Sequence, residues 1–493
     1  MVRWTDAAER ALGQQAETSA APQQDLAFRD ALTSLASARR PSLKAVTVAS
    51  RSDPDRILET LLKDYERLRE PIPVSFREMA PFSSARRRAT HALHSYPARL
   101  LAQIPAFFLS TTTLGDDGLV VDPFCGSGTV LLEAILTGRE AMGADANPLA
   151  RLVSEAKVTP IAPARVEAAC DRLLRGLPAV AREPAGLLNP EYWFYPHVRR
   201  DLARIADALR RVRDREICRF LEVVFSSVIR DVSLADPRLS VPVRLRSDQY
   251  PEEHSLRGKT EARLRRLRTI NVLGVFRDRC ATSVKLMAEL VKWNGLGRCA
   301  SVVEDARVLR GVDDGTVALV ITSPPYLGAQ KYIRASSLSL TWLGQCSAGE
   351  LRALEDENIG REHYPKQATT KLTPTGIRQA DELLAEVHAV NQTRAHIAAI
   401  YLNEMNAAMS ELARILRGGG YAVVVIGSST ISGYPFSTPD YVTEIAVRHN
   451  LELKIHLVDT IRSRALFTKR HWTASIIESE SILLFRRRER DIR

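Results

Sequence analysis

The stretch that decides the fold is residues 120–129, which read Val-Val-Asp-Pro-Phe-Cys-Gly-Ser-Gly-Thr. Residues 118–121 are typical of a buried strand, and the apolar residues that follow Thr129 predict a helix. Between them, Gly126 and Gly128 lack a Cβ, so the backbone can turn sharply and let a ligand approach closely. The pattern is neither the GxGxxG fingerprint nor a P-loop, because no lysine follows the last glycine. Taken alone, it also fits an ordinary strand-to-helix turn.

A second informative stretch lies nearly two hundred residues later and reads Thr322-Ser-Pro-Pro-Tyr326. The apolar run 317–321 before it predicts a buried parallel strand. The two prolines fix φ and remove two backbone donors, which leaves carbonyl groups free to accept hydrogen bonds from a ligand. Ser323 adds a hydroxyl group and Tyr326 an aromatic face. The stretch therefore predicts a rigid pocket for a planar group that bears an NH2 group, with a plain proline turn as the alternative.

Together, the two stretches resemble the cofactor and catalytic motifs of the amino-group DNA methyltransferases. These enzymes methylate the N4 amine of cytosine or the N6 amine of adenine with S-adenosylmethionine. The resemblance covers residues 88–160 and 295–486 and implies an α/β fold, a Rossmann-like class I methyltransferase sheet with helices on both faces. It implies S-adenosylmethionine as the cofactor. The catalytic residues that it implies are Ser323, Pro324, Pro325 and Tyr326.

The cofactor site implied by the resemblance begins before the glycine turn. The segment His91-Ala-Leu-His-Ser-Tyr-Pro-Ala98 is similar to the family segment that leads into a helix beside the methionine end of the cofactor. His91 and His94 have no third ligand nearby, so no metal is expected. The residues assigned to the cofactor from this segment and the turn are Tyr96, Pro97, Ala98, Asp122, Pro123, Phe124, Gly126, Ser127, Gly128 and Thr129.

Two further acidic residues follow predicted strands. Asp145 ends the strand at 140–144, where a carboxylate of a nucleotide-binding unit can bind ribose hydroxyls, although a helix N-cap is the alternative. Asn147 belongs to the same segment. Asp305 follows the strand at 300–303 and matches the family's contact to the exocyclic amine of the adenine ring, with Ala306 beside it. All four residues are assigned to the cofactor.

The composition indicates a protein that suits a polyanionic partner. The chain has 493 residues, is 45% hydrophobic and carries a formal net charge of +11 with a pI near 9.5. Basic faces can also be merely solvated, so the charge alone does not identify nucleic acid. The six cysteines contain no CxxC pair, which argues against a zinc site or a disulfide framework and suits the cytoplasm. No apolar run is long enough to predict a membrane span.

Four domains are predicted along the chain. They are an N-terminal helical extension (1–85), a cofactor-binding half (86–160), an inserted, mostly helical, basic segment (161–292) and a catalytic half (293–493). The inserted segment is rich in arginine and is the candidate for recognition of the DNA target. Its position before Asp305 departs from the family pattern, which weakens that assignment. The residues assigned to DNA are Arg86, Arg87, Arg88, Arg263, Arg265, Arg266, Lys331 and Arg334.

The predicted reaction is direct attack by an exocyclic amine on the cofactor's methyl group, on a base flipped out of duplex DNA. Family members with Ser before the two prolines lean towards cytosine N4, and those with Asp or Asn towards adenine N6, so Ser323 favours cytosine. Adenine N6 methylation, an RNA or protein methyltransferase and an inactive DNA-binding subunit are the alternatives. Double-stranded DNA is the expected partner, with a restriction–modification role and a cognate endonuclease; monomer and dimer both stay open.

Overall fold

The strand before the glycine turn lies inside a mixed, mostly parallel sheet. A computed structural model of the chain describes residues 53–80, 88–97, 99–115, 117–303, 305–328, 331–461 and 478–489. These residues all belong to one unit that spans residues 45–493. Most of the predicted N-terminal extension, Arg86, Arg87 and Ala98 lie outside the described residues.

Ten strands occur in the described part of the chain. Numbered along the sequence, they are β1 (Ile72–Val74), β2 (Leu119–Asp122), β3 (Ala141–Ala144), β4 (Cys299–Val303), β5 (Val317–Thr322), β6 (Leu416–Ile426), β7 (Ser429–Ile431), β8 (Tyr434–Phe436), β9 (Leu451–Thr460) and β10 (Ser479–Arg487). Eight of them form one sheet in the order β1-β9-β10-β6-β5-β2-β3-β4, and β7 and β8 form a separate hairpin. Neighbours in the sheet are parallel, except that β10 runs antiparallel to both β6 and β9.

Helices account for most of the remaining described residues. In chain order they are α1 (Pro54–Leu68), α2 (Phe76–Met79), α3 (Gln103–Leu109), α4 (Thr129–Leu136), α5 (Pro148–Val158), α6 (Pro163–Arg175), α7 (Pro190–Trp193), α8 (Pro196–Leu209), α9 (Arg215–Val232), α10 (Ser255–Arg268), α11 (Val272–Val291), α12 (Tyr332–Trp342), α13 (Leu351–Asp356), α14 (Arg378–Val390), α15 (Gln392–Ile415) and α16 (Thr438–Arg448). A short 3-10 helix, Lys366–Thr370, precedes α14.

Both faces of the sheet are covered, because successive residues of its central strands point to opposite sides. In β5, Leu319 and Ile321 belong to the hydrophobic cluster that contains α4, α5 and α9, whereas Val320 belongs to the cluster that contains α14, α15 and α16. All six residues of β5 are buried, as expected for a parallel strand covered on both sides. The prediction of an α/β methyltransferase-type sheet with helices on both faces is confirmed.

The two halves of the chain meet at the β2–β5 pair. These strands are parallel neighbours, with Val120 opposite Leu319 and Val121 opposite Val320. Their carboxyl ends therefore emerge at the same edge of the sheet, with the glycine turn after β2 and the Ser-Pro-Pro-Tyr loop after β5. Open α/β sheets bind ligands in the crevice outside the carboxyl ends of their strands.

Residues 161–292 are helical and pack directly on the sheet's helices. Phe220 and Phe225 of α9 and Phe276 of α11 are fully buried in the same hydrophobic cluster as Leu131 of α4. This shared core fixes the segment against the cofactor-binding half. Its treatment as a separate domain stays a prediction.

The glycines at 418–420 lie inside a strand and not at the end of the preceding helix. Helix α15 ends at Ile415, and Leu416 already pairs with Val317 in the sheet. The next registered pair joins Leu319 to Tyr421, so the glycines form a bulge inside β6. A side chain at Gly420 would lie 3.1 Å from the carbonyl oxygen of Ala318, which explains why the bulge needs residues without a Cβ.

Candidate active site

A cleft of about 600 Å³ opens at the carboxyl ends of β2, β3 and β5. It collects residues from several separate parts of the chain, and most of them are residues that the sequence singles out. The lining residues are Tyr96, Pro123, Phe124, Gly126, Asp145, Ala146, Asp305, Ala306, Ser323, Pro325, Tyr332, Glu357, Asn358 and Ile359.

The glycine turn has the backbone geometry that only glycine adopts easily. Gly126 and Gly128 have φ angles of +50° and +71°, in the left-handed region that other residues enter at a cost. A Cβ on Gly128 would lie 2.7 Å from the Cβ of Ser154, which leaves no room for a side chain. A Cβ on Gly126 would instead face the ring of Tyr96 at 3.7 Å. Gly128 thus allows α4 and α5 to pack closely, and Gly126 keeps the wall of the cleft open.

Asp145 lines the cleft and also holds the glycine turn in place. Its carboxylate accepts hydrogen bonds from the backbone N–H groups of Gly126 (2.9 Å) and Asn147 (2.8 Å). Burial raises the pKa of Asp145 to about 6, against the two hydrogen bonds, which lower it. A carboxylate oxygen accepts more than one hydrogen bond, so Asp145 retains acceptor capacity for a ribose hydroxyl. The N-cap of α5 is Asn147, which removes the N-cap alternative for Asp145.

Asn147 uses its side chain for hydrogen bonds within the protein. Its side chain is fully buried, and its Nδ2 atom donates to the hydroxyls of Tyr96 and Ser336, both at 2.9 Å. Its Oδ1 atom accepts from the N–H group of Leu149 at the start of α5. These contacts use the amide from both ends, so Asn147 supports Tyr96 in the cleft wall. A direct contact of Asn147 to the cofactor stays a prediction.

Asp122 is buried and is not among the residues that line the cleft, so its assignment to the cofactor stays a prediction. Its carboxylate is 3% exposed and accepts from the Thr322 hydroxyl (2.6 Å) and the Phe124 N–H group (3.1 Å). This pair of bonds ties the end of β2 to the end of β5. Burial is the main cause that raises the pKa of Asp122 to about 7, with a contribution from Asp145.

The Asp122→Asn variant is expected to be more stable than the native chain at about pH 8, by about 1–4 kcal/mol. The folded-state pKa lies above the unfolded value of 3.8, so the folded state holds more protons between about pH 4 and pH 7. Stability therefore falls as pH rises through this window, and the uncharged amide removes that loss. The measurement is the free energy of unfolding by urea as a function of pH.

The gain in Asp122→Asn should shrink towards zero near about pH 4, where the carboxyl is neutral in the folded state. Asp313→Asn, at an exposed aspartate, is the control and should show no such trend. A variant whose stability relative to the native chain is the same at both pH values would contradict the buried-charge interpretation.

Ser127 and Thr129 are buried under the glycine turn and do not line the cleft. The Ser127 hydroxyl accepts from Nζ of Lys157, which is fully buried at the end of α5. Burial lowers the pKa of Lys157 to about 7. No ion pair joins Lys157 to a carboxylate in the described part of the chain. The sequence offered no signal for this lysine, because it lies in a helix pattern without a motif.

The His-x-x-His segment connects the turn to the surrounding helices. His91 contacts the buried Glu133 of α4 at 2.6 Å, and His94 contacts Ser226 of α9 at 3.0 Å. Burial lowers the pKa of both histidines, that of His94 to about 3. Pro97 follows Tyr96 and does not line the cleft. Among the described residues, no group of three or more His, Cys, Asp and Glu side chains could hold a metal ion.

Asp305 follows β4 and lines the cleft, but its carboxylate already accepts hydrogen bonds from Arg307. It accepts from the guanidinium group of Arg307 at 2.9 Å and 3.0 Å, and from the Arg307 N–H group at 2.9 Å. Arg307 also reaches Glu404 of α15. Both carboxylate oxygens keep lone pairs, so a contact to an adenine amine stays a prediction for Asp305.

The Ser-Pro-Pro-Tyr loop is held at two points. Tyr401 of α15 donates to the carbonyl oxygen of Pro325 at 3.0 Å, and the Tyr326 hydroxyl donates to Glu480 of β10 at 2.8 Å. Ser323 lies in the cleft wall. Within the described residues, no donor reaches the carbonyl oxygen of Pro324. The loop therefore presents a hydroxyl and a free carbonyl group on a rigid support.

Sequence reasoning missed one side of the cleft. Glu357, Asn358 and Ile359 follow α13 and line it, although they lie in a polar stretch without any motif. Tyr332, the first residue of α12, lines it as well. Glu480 is the other missed residue, because a single glutamate in a terminal strand carries no pattern.

The basic residues assigned to DNA divide into two groups. Arg88 forms a bidentate ion pair with the buried Glu133 and stacks on Trp293, so much of its guanidinium group is used inside the protein. Its assignment to DNA stays a prediction. Arg263 is half-buried and donates to the carbonyl oxygen of Asp231, and its assignment to DNA stays a prediction. Lys331 pairs with Glu362 at 3.0 Å. The exposed members of the set are Arg265, Arg266 and Arg334.

Comparisons with known proteins agree with this geometry. The UPF0020 family, an RMKL-like methyltransferase domain, matches residues 87–170, which contain the glycine turn and Asp145. The Type II methyltransferase M.MvaI of Kocuria varians is 30% identical over 156 residues, which is 29% of this chain and 34% of that protein. Over that stretch, the chain is similar to a Type II methyltransferase. The Type II methyltransferase M.MjaII of Methanocaldococcus jannaschii is 32% identical over 74 residues, 15% of this chain.

The resemblance to S-adenosylmethionine-dependent DNA methyltransferases is confirmed over the matched stretches, and S-adenosylmethionine is the cofactor. The chain spans 34% and 14% of the lengths of the two relatives that it matches. Among solved structures, the rRNA methyltransferase AviRa of Streptomyces viridochromogenes is 12% identical, with a TM-score of 0.32, over 84% of this chain and 96% of that chain. This similarity does not indicate the substrate of the present chain. No described helix is long and apolar enough to cross a membrane.

The cleft of this methyltransferase fits the chemistry of S-adenosylmethionine. The side of Gly126 that a Cβ would fill is open, Phe124 offers an apolar surface, and Asp145 and Asp305 provide acceptors for hydroxyl and amine groups. These four residues would hold the adenosine part of the cofactor. Bound there, the cofactor would supply an electrophilic methyl group beside Ser323.

Proposed function

We propose that this protein methylates the exocyclic N4 amine of cytosine in duplex DNA at a specific site, as part of a restriction–modification or defence system. One observation carries the proposal. Ser323 and Pro325, from the loop after β5, line the same cleft as Gly126 and Asp145, from the loops after β2 and β3. A base in this cleft would therefore lie against the methyl donor.

The proposed chemistry is attack by the amine nitrogen on the methyl carbon, with the carbon–sulfur bond breaking in line. The lone pair of an exocyclic amine is delocalised into the ring, so it is a poor nucleophile. The Ser323 hydroxyl and the Pro324 carbonyl oxygen accept hydrogen bonds from the amine, which localise its lone pair on nitrogen. The ring of Tyr326 stacks on the base. Most of the rate then comes from positioning, and the base must leave the duplex to reach the cleft.

Ser323 supports cytosine over adenine as the target. The amino-group methyltransferases that act on adenine usually place a longer carboxylate or amide before the two prolines, whereas Ser323 has a short hydroxyl side chain. Methylation of adenine N6 keeps the same mechanism and is the second candidate. A cognate endonuclease is part of the proposed restriction–modification role.

Transfer of a tritiated methyl group to duplex DNA, followed by separation of the nucleosides, tests the proposal. Label is expected in N4-methylcytosine. Label in N6-methyladenine would replace cytosine by adenine and keep the enzyme class. Label only in RNA supplied in the same reaction, or in no nucleic acid, would overturn the proposal.

Helix α10 is the surface that we propose for DNA. It contains six basic residues and one acidic residue, and only Thr260 and Leu267 of it are buried. A helix that is polar on nearly all sides contributes little to the core, so its exposed arginines, Arg265 and Arg266, are available to a partner. Phosphate contacts release bound counterions, which makes binding depend on salt.

Reversing Arg265 and Arg266 to glutamate is expected to weaken DNA binding and to flatten its salt dependence, by about one unit of slope for each phosphate that is no longer bound. The measurement is the dissociation constant for a DNA duplex at several salt concentrations. Arg172→Glu/Arg175→Glu is the matched control, since both arginines are exposed in the last turn of α6 and the change in charge is the same. Equal slopes for the two double variants would exclude α10 as the DNA surface.

A further inference from the structure

A line of three polar side chains leads away from the cleft at the catalytic loop. The Tyr326 hydroxyl donates to Oε1 of Glu480 at 2.8 Å, and the Ser323 side chain interacts with the same hydroxyl. Glu480 belongs to β10, which is far from the loop in sequence but only two strands from β5 in the sheet. The line therefore runs from Ser323 in the cleft through Tyr326 to a carboxylate.

The protonation state of Glu480 determines which group donates and which accepts in each hydrogen bond from Glu480 to Ser323. An ionised carboxylate only accepts, whereas a hydroxyl group both donates and accepts. With Glu480 ionised, Tyr326 must donate to it, and the Tyr326 oxygen is then free to accept from the Ser323 hydroxyl. The Ser323 oxygen in turn presents its lone pairs to the cleft. A protonated Glu480 could donate to Tyr326 instead. Tyr326 could then donate to Ser323, and the Ser323 hydroxyl could donate towards the cleft.

We propose that Glu480 is a positioning residue that acts through Tyr326 to keep the Ser323 oxygen an acceptor for the amine of the target base. This inference rests on the proposed function, in which Ser323 accepts a hydrogen bond from that amine. Tyr326 thereby has a second role, because its hydroxyl relays the orientation while its ring stacks on the base. The role requires the hydroxyl and not only the aromatic face.

The surroundings of Glu480 bear on its charge. The groups that act on it are Tyr326, Asp459 of β9 and Arg77 of α2. Burial is the largest cause that raises the pKa of Glu480, and Asp459 raises it further, whereas Tyr326 and Arg77 lower it. Tyr332 and Glu480 both act on Tyr326 itself. Because the pKa is raised, the acceptor form is lost as pH falls through a higher range than for an ordinary glutamate.

Single-turnover rates of methyl transfer to duplex DNA test the relay in Tyr326→Phe, Glu480→Gln and Glu480→Leu. Tyr326→Phe keeps the ring and is expected to lose about 10–100-fold in rate, the range that a hydrogen bond to a charged group accounts for. Glu480→Gln keeps one acceptor oxygen and should retain more rate than Glu480→Leu. Combining Tyr326→Phe with Glu480→Gln should cost little more than Tyr326→Phe alone, because both variants break the same line. Glu478→Gln, at an exposed residue beside the strand, is the control.

The pH dependence of the methyl-transfer rate distinguishes a positioning role of Glu480 from a merely structural role. The wild-type rate should fall as pH decreases through the raised pKa of Glu480, and this inflection should be absent in Glu480→Gln. Burial raises the pKa of Asp122 and Asp145 as well, so the test is the difference between the wild-type and Glu480→Gln profiles.

Two results would overturn the relay and leave the proposed function intact. They are a Tyr326→Phe variant with the wild-type rate, and single losses that add in the double variant. A wild-type protein that transfers no methyl group to DNA would overturn the proposed function together with the relay. Thermal unfolding and cofactor affinity identify a variant that fails to fold. If a Glu480 variant fails to fold, the rate of Tyr326→Phe, the smallest change, decides whether the relay exists.

Discussion

Replacing Ser323 by alanine is expected to lower the rate constant of methyl transfer by about 10²–10³-fold, the usual effect of removing one hydrogen bond made mainly in the transition state. The affinity for DNA and cofactor should change much less, because the missing bond acts on the amine as its lone pair is localised. Ser323→Ala/Pro324→Ala, which also loosens the loop, should approach complete loss. Single-turnover kinetics with a labelled methyl donor measure the rate constant separately from binding.

The control for Ser323→Ala is the unfolding temperature and cofactor affinity of the same variant. Tyr401 and Glu480 hold the loop from below, so the variant should keep the native unfolding temperature and cofactor affinity. A Ser323→Ala enzyme whose affinity for DNA falls while its rate constant is unchanged would place the serine in substrate binding. Wild-type rate and affinity together would remove Ser323 from the mechanism.

Replacing Gly126 by tryptophan is expected to weaken cofactor binding by more than about 100-fold, since a bulky side chain at this wall occupies the cleft that the cofactor needs. The Cβ itself would meet only the ring of Tyr96, at 3.7 Å, so the indole must extend into the cleft. Calorimetric titration with S-adenosylmethionine measures the effect.

Gly311→Trp is the matched control for Gly126→Trp. Gly311 also has a positive φ, of +82°, and a Cβ there would meet nothing within 4 Å. Both variants carry the same kind of backbone strain for a side chain in the left-handed region, but only one of them fills the cleft. Equal cofactor affinity in the two variants would remove the glycine turn from the cofactor site.

The local elements around the glycine turn were predictable, because their signals are local. The strand expected at 118–121 is observed at Leu119–Asp122, and the helix expected from Thr129 begins at that residue. An apolar run, two glycines and a second apolar run leave few alternatives for the backbone. The parallel strand before Ser323 follows from the same reasoning.

The contacts that could not be predicted from the sequence depend on partners that are distant along the chain. Asp122 is occupied by Thr322, which is 200 residues away along the chain. Arg88 resembles a phosphate ligand in the sequence, yet it is neutralised by Glu133 inside the core. A polar residue at the end of a strand indicates that it forms a polar contact there. Which residue it contacts depends on the order of the strands in the sheet. Glu480 had no signal for the same reason.

The position of β10 has a consequence for the biosynthesis of the protein. This strand is the last of the sheet along the chain, yet it lies between β6 and β9 and pairs with both. Until a ribosome has released residues 479–487, both neighbours have an unpaired edge, and an open edge is a template for pairing with other chains. The nascent chain therefore passes through a stage in which its sheet is split in two and prone to aggregate. A translation stop or proteolytic cut before Ser479 would make that stage permanent.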